Sequence, residues 1–276
     1  TLCEGAEEAL SAPLDGAADL GACAAKCGPQ PGGTAKRICP MGFWCLWKTI
    51  ERFEHRTEAI EETADYSLLA EAIGSRPTLP RPSFGLVAAS EKAVKYDPGA
   101  VDRVVACVKA AFPRGEKVED WDAWVNEIAS SHPGLLVLLP HHVREQGNSL
   151  LQIGADSRLK STLVKLKHVV GDPPPKPSAK PIILLLGCET QDSAIAIERF
   201  PAVFQARGAA VVVATIATVL GRDAAPAAEE LVGLLAENNG EERSFGDLLL
   251  DARRKLLLKG KAMALALAGF GDADWR

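Results

Sequence analysis

Two residue types capable of nucleophilic chemistry stand at the ends of strongly apolar runs. Cys188 follows residues 181–186 (PIILLL) in the block Gly187-Cys188-Glu189-Thr190, and His141 and His142 follow residues 135–139 (LLVLL) after Pro140. The thiolate is the nucleophilic form of cysteine, and a nearby imidazole raises its population. The two are 47 residues apart in the chain, so only the fold can make them neighbours. Ligands of open α/β sheets bind outside the carboxyl ends of the strands, and both residues leave the same kind of strand at that end. Taken singly, Cys188 also reads as a small buried hydrophobe and either histidine as a solvated loop residue.

Positioning falls to an alternation of strands and helices that begins after a proline-containing break at residues 76–83. Residues 84–89 (FGLVAA), 135–139, 149–153 (SLLQI), 181–186, 209–217 (AAVVVATIA) and 262–270 read as short strands. Residues 100–112, 121–129, 198–207, 224–237 and 245–258 space their apolar side chains at helical period. Continuous apolar strands separated by helices describe a mainly parallel sheet covered on both faces, an α/β class. Residues 173–177 (PPPKP) form an exposed loop between the two candidate catalytic strands, a place for processing or regulation.

The 276-residue chain carries 31 basic and 36 acidic side chains, a net charge of −5, with 47% apolar residues. It can bury enough apolar surface to fold, and nothing in it approaches the roughly 18 apolar residues of a membrane helix. With no basic block, nucleic acid is not expected as a direct partner, nor is a membrane. No phosphate-binding glycine loop follows a strand, which disfavours a nucleotide-binding domain. The chain opens at Thr1 without a signal peptide and is expected to be part of something longer.

Seven cysteines are present, five within the first 45 residues. Reduced thiols in the cytoplasm are the expectation, because a secreted disulfide scaffold would be shorter and more evenly bridged. Cys23, Cys27 and Cys39 have spacings compatible with a structural zinc site, with Cys3 or Cys45 as fourth ligand; free thiols are the alternative. No cofactor is expected for catalysis. Trp44, Trp47, Ile50 and Phe53 make a stripe that packs residues 1–80 onto the domain at 81–276, or serves as a partner groove.

At LLLGCET the chain resembles the caspase-like cysteine peptidases of the CHAT group, relatives of separase and the caspases. The resemblance runs from residue 84 to 275 and rests on residues 182–190, Ser193, the helix at 198–207, the strand at 208–215, Phe245-Gly246-Asp247 and the closing strand. It implies a three-layer caspase-like sandwich, with Cys188 as nucleophile and His141 as its histidine. The glycine that usually follows that histidine is His142 here, so either imidazole remains a candidate. Backbone amides near the histidine and the nucleophile would form an oxyanion site, and His142 and Glu189 would contact the substrate. Asp223 lies near where separase-like relatives carry an acidic residue that selects a basic side chain before the cut; it also fits the N-cap of the helix at 224–237. The implied function is a cysteine endopeptidase acting on protein substrates, the effector of a larger regulated bacterial system with a sensor or regulatory partner. A catalytically silent scaffold of the same fold is the alternative.

Overall fold

The computed structural model describes residues 6–11, 43–46, 82–92, 94–95, 97–145, 148–171, 180–189, 199–216, 221–238 and 243–271. Ten strands are described: β1 (Phe84–Ala89), β2 (Arg114–Val118), β3 (Leu135–Leu139), β4 (His141–Glu145), β5 (Asn148–Ile153), β6 (Ser157–Lys160), β7 (Ile182–Leu185), β8 (Cys188–Glu189), β9 (Val211–Thr215) and β10 (Leu267–Phe270). The described helices are α1 (Ala6–Ser11), α2 (Ala100–Ala111), α3 (Trp121–Ser131), α4 (Arg199–Ala206), α5 (Gly221–Glu237) and α6 (Phe245–Leu258).

Six strands form the central sheet in the order β10-β9-β7-β3-β1-β2, parallel throughout except for the β10–β9 pair. Both faces are apolar because successive side chains of a strand point to opposite sides. Leu135, Val137 and Leu139 join Ile182, Leu184, Val211 and Val213 against α2, α5 and α6. Leu136, Leu138, Ile183, Leu185 and Val212 meet Trp124 and Ile128 of α3 and Phe200 and Phe204 of α4 on the other face. The result is the three-layer, mainly parallel α/β sandwich expected from the alternation.

Helix starts carry recognisable chemistry. Asp120 caps α3 by accepting from the Ala123 amide at 2.7 Å, and Ser244 with Asp247 forms a capping box on α6. Four strands, β2, β4, β6 and β8, depart from the sequence reading. β2 (RGEKV) is charged because it is the sheet's edge, where Arg114 pairs with Glu127 and lies over the Phe84 ring. β4 and β6 are short and polar, and form a second sheet, β6-β5-β4-β8. The expected closing strand at 262–270 is a 3-10 turn over Ala262–Ala266 followed by β10.

Two described pieces of residues 1–80 pack onto α6. Leu10 and Leu46 are buried in the same core as α5 and α6. Arg253 and Arg254 are themselves buried, and donate to the Cys45 carbonyl (3.3 Å) and the Leu46 carbonyl (2.8 Å). Of the expected stripe, Trp44 falls in a 3-10 turn, Trp44–Leu46; Trp47, Ile50 and Phe53 lie outside the described residues. No described helix is long and apolar enough to cross a membrane.

Candidate active site

β3 and β7 are the two central strands, paired in parallel with Leu138 opposite Leu185. The Leu186 amide donates to the Leu138 carbonyl at 2.9 Å, carrying the pairing past the end of β7. Beyond Pro140 and Gly187 the two chains pair again as β4 and β8, with His141 opposite Cys188 and His142 opposite Glu189. The offset between partners is 47 residues in both stretches, so no register is lost at the junction. Gly187 permits this closeness. A Cβ there would lie 3.0 Å from the Pro140 carbonyl oxygen and 3.2 Å from its Cγ.

His141 and His142 point to opposite faces, as neighbours in a strand must. His142 is buried, its ring edge-on to Phe200 with centroids 6.2 Å apart. It lines a small apolar pocket with Pro140, Leu151, Leu185 and Phe200 on the α4 side. His141 is half-buried on the other face. Neither histidine is therefore a loop residue; both belong to β4.

A four-residue row crosses the small sheet at His141. Arg158 of β6 is opposite Gln152 of β5, Gln152 is opposite His141, and His141 is opposite Cys188. Gln152 is fully buried and held at both ends of its amide: Nε2 donates to the Ala155 carbonyl and Oε1 accepts from Lys92 Nζ at 3.1 Å. Lys92 arrives from just beyond the carboxyl end of β1, where Ser90 bridges Gly154 and the Gly154 amide donates to the Ala89 carbonyl at 2.8 Å. Gly154 sits at φ 56°, and a Cβ there would fall 1.9 Å from the Glu119 carbonyl oxygen, so only glycine fits this junction.

Burial is the main force that lowers the His141 pKa below the ordinary histidine value, and the positive charges of Lys92, His142 and Arg158 lower it further. At neutral pH the imidazole is therefore uncharged and able to accept a proton. Sequence reasoning missed Lys92 and Gln152. Neither sits in a recognisable motif, and only the cross-strand register brings them to the histidine.

The remaining expected residues are placed as follows. Asp223 lies in the first turn of α5, which starts at Gly221 rather than at 224, and its carboxylate is 3.6 Å from Lys261 Nζ. Cys3, Cys23, Cys27 and Cys39 lie outside the described residues. Cys45 is a half-buried free thiol, and no group of three or more metal-ligating side chains occurs among the described residues. Cys107 is the other described free thiol; its Sγ donates to the Glu229 carbonyl at 3.6 Å, and burial raises its pKa, with Glu229 and Glu230 adding to the rise.

No family model matches the chain, and no curated protein matches it by sequence. Solved structures do resemble it. The Arg specific cysteine proteinase gingipain R superposes with a TM-score of 0.52 at 14% identity, covering 72% of this chain and 49% of that one. A complex of the pro- and mature domains of the Porphyromonas gingivalis proteinase gives 0.49 at 14% identity, over the same shares of the two chains. The Drosophila initiator caspase Dronc gives 0.38 at 11% identity, covering 73% of this chain and 82% of its own. The chain spans about half the length of gingipain R and shares its fold, a caspase-like α/β sandwich with a mainly parallel central sheet.

Proposed function

We propose that this chain is a cysteine endopeptidase of the CHAT group, working through a Cys188–His141 dyad. The observation that supports it most directly is the parallel pairing of β4 with β8, which sets His141 opposite Cys188 at the carboxyl ends of the two central strands. The peptidase fold of gingipain R supports the same reading.

In the proposed reaction neutral His141 takes the Cys188 proton as sulfur attacks the substrate carbonyl carbon. The tetrahedral oxyanion is met by backbone amides, donors of a kind each worth about 2.7–4 kcal/mol when removed. The imidazolium returns its proton to the leaving amine, the C–N bond breaks, and a thioester remains. Water, deprotonated by His141, then releases the acid and restores the thiol. Lys92 and Arg158, which disfavour the imidazolium, would favour a thiolate beside it.

The silent-scaffold alternative rested on His142 standing where related sequences have glycine. Its burial against Phe200, away from the His141 face, supports an open dyad rather than a crowded one. The proposed setting is the effector module of a larger regulated bacterial system, possessing a sensor or regulatory partner and serving defence or regulated cell death. The zinc site of Cys23, Cys27 and Cys39 belongs to this proposal as a structural element only.

The test is digestion of a mixed peptide library by wild type, Cys188→Ala and His141→Ala, with cuts read by mass spectrometry. Cleavage by wild type alone is the expected result. Should nothing be cut, and should a peptidyl electrophile label Cys188 no faster than the half-buried thiol Cys107, the peptidase reading is overturned.

A further inference from the structure

The cation fixed beside His141 has no anionic partner among the described residues. Lys92 is exposed, forms no ion pair among the described residues, and bonds through Nζ to a neutral amide oxygen, that of Gln152. Its neighbours in the row are different. Arg158 is engaged by Asp156 (2.7 Å) and by Glu145, so its charge is already met. The Asp223 carboxylate, in the first turn of α5, is met by Lys261.

Gln152 gives Lys92 a defined position rather than the sweep of a surface lysine. The amide cannot turn, because its nitrogen is committed to the Ala155 carbonyl and the residue is fully buried. Its oxygen therefore points constantly at the ammonium. An ammonium has three donors. Gln152 uses one, which leaves two on an exposed side chain held beside the residue opposite His141. A carboxylate would add the attraction of opposite charges to the bond the ammonium now makes with an uncharged amide oxygen.

Building on the peptidase reading above, we propose that Lys92 is a specificity-determining residue, which binds a carboxylate of the substrate next to the scissile bond and makes this an enzyme for acidic rather than basic sites. Gln152 is its positioning residue. The commitment is to an Asp or Glu side chain adjacent to the cut; a basic side chain there would meet Lys92 as a like charge, which costs affinity.

The experiment compares matched peptides carrying Asp, Asn or Lys beside the cut, selected from the library above, with wild type, Lys92→Met, Lys92→Glu and Gln152→Leu. For wild type the kcat/KM ratio of Asp over Asn peptides should be on the order of tenfold. Lys92→Met should bring that ratio to about one, and Lys92→Glu should reverse the order of Asp and Lys peptides. Gln152→Leu should weaken the ratio through KM while Lys92 remains. Circular dichroism of each variant guards against misfolding, and Lys92→Glu, a surface change, keeps the test informative if Gln152→Leu fails to fold. Cleavage that depends on Cys188 but ignores charge, or prefers Lys, overturns this inference alone. Absence of any Cys188-dependent cleavage overturns the peptidase reading, and this one with it.

Discussion

His141 and Cys188 are paired across two parallel strands that continue the central strands β3 and β7 without loss of register. Their juxtaposition is thus set by backbone pairing inside the sheet rather than by a flexible loop, and elements of this kind hold a site to closer tolerances than loops do.

The two imidazoles should separate cleanly in mutagenesis. His141→Ala is expected to lower kcat by about 10²–10⁴-fold, the usual worth of a positioned acid–base group. His142→Gln removes a ring packed on Phe200 and should instead appear as a lower Tm. Steady-state kinetics and a thermal melt on both variants check this; a larger kcat loss at 142 would assign the base to His142.

The pH profile follows from the lowered His141 pKa. The dyad needs the neutral imidazole, so the acid limb of kcat/KM should lie below the roughly 6.5 of an unperturbed histidine. Lys92→Met removes one positive charge, which raises the pKa and moves the acid limb to higher pH. A limb that stays in place in Lys92→Met would mean that the lysine charge does not reach His141.

Gly187→Ala tests the closeness of the strands. Its methyl must displace the Pro140 carbonyl or ring at 3.0–3.2 Å, and overpacking of this sort costs about 1–3 kcal/mol. Because the strain falls one residue before Cys188, activity should drop by more than the stability loss explains. Denaturant melts and labelling of Cys188 by a peptidyl electrophile measure the two effects separately.

Folding stability should decline on the acid side because of His168. Burial is the main cause of its lowered pKa, and its Nδ1 accepts the Lys165 amide at 3.0 Å, which only an unprotonated nitrogen can do. The unfolded chain therefore binds the proton more readily than the folded one. The contribution is present above about pH 6.5 and is lost as pH falls from there toward the lower folded value. Urea midpoints at pH 5 and pH 7 should differ less in His168→Gln than in wild type.

The grip of α6 on residues 45–46 predicts that the front of the chain is part of the fold. Leu46→Ala should cost about 2–5 kcal/mol as a core truncation. Arg254→Met leaves the buried Leu46 carbonyl without its 2.8 Å donor, a penalty of about 1–3 kcal/mol. Chemical denaturation of the full chain reads both.

The central sheet was legible because fully buried strands are continuous apolar runs: LLVLL, IILL and VVVAT could be little else. The second sheet was not. HHVRE and SRLK are largely polar and become strands by pairing, both with β5 and the first also with β8. The candidate site divides the same way. Cys188 and His141 could be picked out from strand ends, whereas Lys92 and Gln152 come from the end of β1 and the middle of β5, and nothing local marks them. Asp223 reads as a cap by spacing, yet α5 begins earlier and the residue becomes an internal first-turn acid paired with Lys261.

The constant offset between β3–β4 and β7–β8 has a consequence for how such a chain tolerates change. The segment at residues 173–177, between the two strands in sequence, can lengthen or shorten without disturbing the pair, since the interior strands alone keep the count. Sliding one strand past the other by a single residue is another matter: it would set His142 against Cys188 and turn the opposite face of the ribbon toward the substrate. Grafts and reporter insertions are therefore best placed in that intervening stretch, while the strand ends must be kept residue for residue.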